Sequence, residues 1–268
     1  VDIETKDFPE EKTFKLSVSG GMNPSMHFNS NYLAYEGGKT DWLGYDDGTR
    51  ANPSGGRTNI PQFADVVGNP SSTQGQEFQT ILRGFNKTLG ATAQTSLMDF
   101  GIGFSLGNQI VRPKVTWGYN AAVTYKNETE FYQDAQFNLF AKPIGTSNFE
   151  MEALERQTGD YGVNNVLLGG LAGIAMKTNA SKFKLNFLHL QNGESKAGIF
   201  DFKNTDFGAN FEASQYNLEY SQRGLSTVLL SGNHYLNGKS WEINWKLAPT
   251  RSTIEDPDIR FTRFRLPN

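Results

Sequence analysis

Along much of this chain apolar and polar residues alternate one by one, the period that sends successive side chains to opposite faces of a β-strand. Phe14, Leu16, Val18, Gly20 and Met22 alternate with Thr13, Lys15, Ser17, Ser19 and Gly21. Phe100, Ile102, Phe104 and Leu106 do the same against Asp99, Gly101, Gly103 and Ser105, and the pattern is cleanest where Trp117, Tyr119, Ala121, Val123 and Tyr125 oppose Gly118, Asn120, Ala122, Thr124 and Lys126. The stretch 166–177 is apolar on both sides; Leu168, Ala172, Ile174 and Met176 are assigned to the outer face. A fifth strand follows with Phe183, Leu185 and Phe187. Tyr216, Leu218, Tyr220, Val228 and Leu230 share one parity, so 213–235 reads as one long sixth strand. Trp241, Ile243, Trp245 and Leu247 form the seventh, reached through Asn237 and Gly238, a hairpin signal. The expectation is an all-β, up-and-down antiparallel sheet of about seven strands in sequential order, its first and last strands left as edges.

The connections alternate in length. Those at 110–114, 179–181 and 236–239 are short, and those at 29–96, 131–164 and 191–212 are long. Short turns at one end and long loops at the other are the layout of a bacterial outer-membrane barrel, and they set the first strand running outward. Trp117, Tyr119, Tyr235 and Trp241 lie beside the short turns, where amphipathic rings favour a membrane interface. The opposite parity carries Lys15, Asp99, Lys126, Lys184, Glu219, Glu242 and Lys246, which suits a polar barrel interior. Within the first long loop, Phe78, Ile81, Leu82, Phe85 and Leu89 make an amphipathic stripe that predicts a helix over 74–89. A shorter helical turn is predicted over 149–157, capped by Ser147 or Asn148.

Composition supports this frame. The chain has 268 residues with 28 Gly, 13% aromatic and 37% hydrophobic residues, and a mean hydropathy of -0.52. No window approaches the ~18 consecutive apolar residues of a spanning helix, whereas barrel strands average to a polar hydropathy because they alternate. The absence of Cys excludes a disulfide framework and thiolate metal sites. A net charge of -3 and a pI near 5.7 give no electrostatic case for nucleic acid. The chain begins at Val1 with neither Met nor a signal-peptide pattern, which reads as a missing N-terminus.

Candidate chemistry is sparse. His27, His189 and His234 are isolated in sequence, so neither a Ser-His-acid arrangement nor a shared metal site is expected, and no cofactor is implied. Acidic groups cluster at Asp41, Asp46 and Asp47, at Glu128, Glu130 and Asp134, and at Glu255, Asp256 and Asp258. Their spacing does not match a calcium loop, and they read as solvated loop carboxylates. Gly101, Gly103 and Gly107 lack the βαβ setting of a nucleotide fingerprint. Asn86, Asn127 and Asn179 sit in glycosylation-type sequons, which arise often by chance.

Several runs resemble a known family. The opening Val1, Asp2, Ile3, Glu4, Thr5 and Lys6 looks like the last plug strand of TonB-dependent outer-membrane receptors. The run NYLAYEGGKTDWLGYDDGTR at 31–50 is similar to the first extracellular loop in one large branch of these receptors, and the runs at 187–198 and 254–261 are similar to parts of the same branch. The resemblance implies a 22-stranded barrel closed by a plug, with residues 1–10 the end of that plug and 11–268 the first part of the barrel. It implies energised uptake of a scarce nutrient, an iron chelate, vitamin or glycan fragment, with outer-membrane lipid, TonB acting through the missing N-terminal region, and a small-molecule or oligosaccharide ligand as partners. Binding rather than bond-making chemistry follows from this.

On loop position and on aromatic and acidic character, Trp42, Tyr45, Asp46 and Asp47 are the candidate ligand contacts. Three other readings remain open. A passive porin would lack the plug strand, a secreted adhesin or glycan-binding β-sandwich would show short strands without alternating loop lengths, and an enzyme barrel would need a nucleophile and base.

Overall fold

Strong period-two alternation builds one antiparallel sheet, and the strands run much further than the alternation alone indicates. The computed structural model describes residues 9–142, 150–205, 211–236 and 240–265. In chain order the elements are β1 (Thr13–Gly21), β2 (Tyr32–Ala34), a 3-10 turn (Asp41–Leu43), α1 (Phe63–Val66), α2 (Thr73–Gly84), β3 (Thr92–Gln94), β4 (Asp99–Val111), β5 (Thr116–Ala141), β6 (Glu152–Lys177), β7 (Ser181–Asn204), β8 (Phe211–Leu236), β9 (Trp241–Leu247) and β10 (Thr250–Arg265). The large sheet has the order β1-β4-β5-β6-β7-β8-β10, with β9 also on β8, and β2 and β3 form a separate small ladder.

β9 and β10 occupy one position. Leu247 pairs with Leu230 and Thr250 with Thr227, so the register runs on unbroken across Ala248 and Pro249. Pro249 has no N–H to give the ladder, but its carbonyl still accepts from Val228 N–H at 3.1 Å. The sheet is therefore seven strands wide in sequential order, as expected. Among the described residues β1 pairs only with β4, and β9 and β10 only with β8, so both edges are open.

Register decides the faces, since residues directly opposite one another point the same way. Leu16, Phe104, Val123 and Gly170 form one such row, and Ile174, Leu185, Leu230 and Leu247 another. These rows define face A. Its half nearest the turns at 112–115 and 178–180 is bare: Val18 is 76% exposed, Val123 51%, Ile174 53% and Leu247 60%. Trp117 and Trp241 lie at that end and are exposed as well. On face B of the same half stand Lys15, Ser17, Thr124, Lys126, Lys184, Asn233, Asn244 and Lys246. A leucine patch of Leu171, Leu188, Leu190 and Leu229 interrupts this polar surface, which explains why 166–177 looks apolar on both sides.

Several expectations need correction. The segments 131–164 and 191–212 are not long loops, because β5, β6 and β8 each run 26 residues and β7 runs 24, so their hairpins project far past the bare band. The helical turn over 149–157 is not formed: Glu152–Gln157 is extended in β6, paired with β5 and, from Glu155 on, also with β7, while Ser147, Asn148 and Phe149 lie outside the described residues. Sheet pairing on two sides outweighs a weak local helical signal. The Asn237-Gly238 turn and the run Val1 to Lys6 also lie outside the described residues. β10 was not anticipated, since Pro257 and three acidic residues disguise it; Pro257 sits in a bulge between Glu255 and Asp258, where a missing N–H is tolerated. The helix α2 is capped by Ser72, whose side chain accepts from Gly75 N–H, and it ends at Gly84 rather than at 89. Of its stripe Ile81 is buried, whereas Leu82 and Phe85 stay exposed.

Candidate functional site

The 22–98 insertion between β1 and β4 lies across the upper half of face A as a clasp. At its start His27 Nδ1 accepts from Asn23 N–H, so Nε2 carries the hydrogen and donates to the Thr129 carbonyl at 3.0 Å, with Asp99 at 3.2 Å. Tyr32, Leu33 and Tyr35 pack with Phe131, Ala197 and Leu218 into the main buried cluster. Further on, Gln191 donates to the Gly44 carbonyl at 2.5 Å, the Tyr45 hydroxyl is hydrogen-bonded to His189 Nε2 at 2.7 Å, and Asp46 N–H donates to Gln222 at 2.9 Å. At the end Arg260 of β10 donates to the carbonyls of Asn86 and Thr88. The clasp thus spans β5 to β10.

Its lock is Arg50, whose side chain is fully buried. The guanidinium donates to both oxygens of Asp41 (2.8 and 2.5 Å), to Asp46 at 3.0 Å and to the Tyr35 hydroxyl at 3.1 Å, with Asp258 of β10 at 4.0 Å. The Tyr220 ring lies beneath it, 4.0 Å from its centroid. Burial works against the charge on Arg50, but the bonds and charges of Asp41, Tyr35 and Asp46 outweigh that cost and raise its pKa. Burial also raises the Tyr35 phenol pKa. Asp46 and Asp258 are 8% and 5% exposed, so the reading as solvated carboxylates is corrected for these two: Asp46 is bonded to Arg50, and Asp258, held at both oxygens by Arg260, lies 4.0 Å from the same guanidinium.

The close seat of the clasp depends on two glycines. Gly44 has φ +79°, and a Cβ there would meet Gly193 N at 2.9 Å; a Cβ on Gly193 would lie 2.5 Å from Gly44 Cα and 2.6 Å from the Tyr220 hydroxyl. Only residues without side chains let the two backbones approach this closely.

The four candidate contacts separate accordingly. Tyr45 and Asp46 face the sheet and hold the clasp in place. Asp47 turns back on its own loop, accepting from the Thr49 hydroxyl and from the N–H groups of Thr49 and Lys39, and these bonds hold its carboxyl down at about 2. Trp42 is 61% exposed. Beside Tyr45 a cavity of about 340 Å³ opens, lined by His189, Gln191, Gln222, Ser226 and Arg251 among others. It contains a Ser–His contact, Ser226 Oγ to His189 Nδ1 at 2.8 Å, but the other ring nitrogen meets Tyr45, so no carboxylate orients the imidazole as in an acyl-transfer triad. The three histidines stay apart, His234 being bound to Ser181 and Trp245 near the short turns. Among the described residues no group of three His, Asp or Glu is arranged to hold a metal ion.

A second cleft, of about 540 Å³, lies on face B at the height of the clasp. Tyr132, Phe137, Tyr161 and Phe200 supply its rings; Glu130, Glu194, Lys196 and Glu219 supply its charges. Tyr132 and Tyr161 stack at 4.7 Å between centroids, and Phe137 meets Phe200 edge-on at 5.7 Å. Sequence reading missed this cleft because it placed most of these residues in loops. The signal was present as Glu130 with Tyr132, and Glu194 and Lys196 with Phe200, falling on one parity once those stretches are taken as strands.

Comparison of the chain with protein-family models, with curated proteins and with solved structures gives no match in any of the three.

Proposed function

We propose that this chain forms part of the barrel wall of a TonB-dependent outer-membrane receptor that takes up a nutrient ligand. The observation that carries the reading is the bare apolar band of face A. It runs in register across all seven strand positions, and on β5 it is nine residues tall, from Trp117 to Tyr125. A membrane-spanning strand needs about 9–11 residues, and a soluble monomer rarely leaves an apolar patch of this breadth uncovered. The remaining length of β5 to β8 then stands outside the membrane and carries the clasp.

Under this reading face A below the clasp meets lipid, face B lines the barrel, and the two open edges are paired by further strands, since bare backbone groups are not tolerated in lipid. The clasp then braces the outside of the wall and the ligand path follows face B, so Tyr45 and Asp46 act as braces rather than as ligand contacts. The test uses the protein as the cell makes it. It should fractionate with the outer membrane, migrate anomalously on gels until boiled, and be captured by the periplasmic domain of TonB. Recovery in a soluble fraction as a monomer would sink the proposal, and outer-membrane location without TonB capture would reduce it to a passive barrel.

A further inference from the structure

We propose that the face B cleft is a binding site for an organic ammonium ion, held against its aromatic rings and carboxylates. Three observations converge on it.

The first is a backbone device that aims a ring into the cleft. On β5 the residues Gln133 and Asp134 together oppose the single Asp160 of β6, because Tyr132 pairs with Tyr161 and Ala135 with Gly159. Asp134 takes φ +51°, unusual for a residue other than glycine, and its N–H donates to the Asp160 carboxylate at 2.9 Å. This bulge shifts parity by one, so Phe137 points to the same face as Tyr132 instead of the opposite one. Bulges commonly re-aim a side chain next to a functional site. Phe137 remains 50% exposed there, with its ring beside Tyr161 and Phe200.

The second is charge. Of the charged residues lining the cleft, Glu130, Glu194 and Glu219 are acidic and Lys196 is basic, and Lys196 is already paired with Glu194 at 2.9 Å. The balance favours a cation and disfavours an anionic ligand.

The third is that rings on this same wall already hold cations one step further out. Arg263 lies 3.9 Å from the centroid of Phe202, and Arg265 lies 6.0 Å from that of Phe211. Among the described residues no cation is placed over Tyr132, Phe137, Tyr161 or Phe200. A positive charge over an aromatic face is attracted by the ring quadrupole, more strongly when partly desolvated, and Tyr132 and Phe137 are 37% and 50% exposed, open to a ligand. The cleft is larger than a single quaternary ammonium group, so the ligand carries that group on a larger body.

Binding to the cleft does not depend on transport, so this inference and the proposed function fail separately. The test is calorimetry on the full protein purified in detergent, with choline as probe and 3,3-dimethylbutanol, which has the same shape without the charge, as comparison. Choline should bind at least about tenfold more tightly than the neutral compound. Tyr161→Ala should weaken choline about tenfold, Tyr161→Phe should retain it, and Glu219→Gln should weaken choline several-fold while leaving the neutral compound unaffected. Equal affinity for the two compounds, or no binding of either, overturns the proposal. So does choline affinity unchanged in Glu219→Gln, which keeps the side-chain shape and decides the matter if Tyr161→Ala does not fold.

Discussion

The Arg50 guanidinium lies over the Tyr220 ring at 4.0 Å, joining a 77-residue insertion, 22–98, to the middle of a sheet strand 170 positions away in sequence. Among the described residues its hydrogen-bond and ion-pair partners are Asp41, Asp46, Asp258 and Tyr35. One side chain thus ties the clasp to itself, to β8 and to the edge strand β10.

Removing it should release the clasp. Arg50→Met leaves Asp41 and Asp46 without their counter-charge, while Asp258 keeps Arg260, and breaking a buried pair costs about 3–5 kcal/mol. Arg50→Lys should recover only part of this, because an ammonium cannot bond both oxygens of Asp41 in parallel while lying flat on Tyr220. Hydrogen exchange of the 31–50 backbone is the measurement. Fast exchange in Arg50→Met with normal protection of β5 and β6 is expected; unchanged protection of 31–50 would show that the apolar cluster alone holds the clasp.

Close backbone approach gives a second outcome. Gly193→Val places a branched side chain where Gly44 Cα and the Tyr220 hydroxyl already stand, and overpacking of this kind costs about 1–3 kcal/mol. Limited proteolysis should then cut within 40–60 sooner than in the parent protein, whereas Gly170→Val should change nothing, since a Cβ at Gly170 meets no atom within 4 Å.

How far these features could be read from the sequence follows from what each face touches. On the lower strands one face is bare and the other polar, so Phe104, Val123 and Leu230 announce their parity and the register follows. On the upper strands both faces are covered, face A by the clasp over Phe131, Ala197 and Leu218, and face B by the rings around Tyr161 and Phe200. Alternation fades there, which is why 131–164 and 191–212 read as loops. The loop holding Trp42, Tyr45, Asp46 and Asp47 was legible as a unit, but aromatic and acidic residues serve equally well against a ligand or against a wall. Only the pairing of Asp46 with Arg50 and of Tyr45 with His189 separates those uses. The face B cleft depends on a bulge at Asp134, and no local residue pattern reveals a one-residue change of parity.

Acid should loosen the clasp tip within a definable window. The Asp47 carboxyl is held down at about 2 by the Thr49 hydroxyl and by the N–H groups of Thr49 and Lys39. A carboxyl depressed in the folded state contributes its stabilisation above its unfolded value of 3.8 and loses it as pH falls through about 2. Carbon-detected NMR of Asp47 should give a midpoint near 2, and Thr49→Val should move it upward; a midpoint at the ordinary value would show that these bonds do not persist in solution.

The bare band of face A is the claim on which the rest of the reading stands. In lipid, Val123→Arg should cost about 2–4 kcal/mol if that position lies near the bilayer midplane, while Thr124→Arg one residue on should cost far less because it enters the polar face. Refolding of the intact protein into vesicles measures both, and equal costs would remove the facing assignment.

The most direct measurement uses single introduced cysteines; the chain itself contains none, and any that lie elsewhere in the intact protein are first replaced by serine. Spin labels placed one at a time from 117 to 126 on β5, in the intact protein reconstituted in bilayers, report their accessibility to oxygen dissolved in lipid and to a water-soluble relaxant. The account predicts a strict period of two, with 117, 119, 121, 123 and 125 reached from lipid and 118, 120, 122, 124 and 126 reached from water. Labels on both parities that respond alike, or odd positions reached from water, would contradict it.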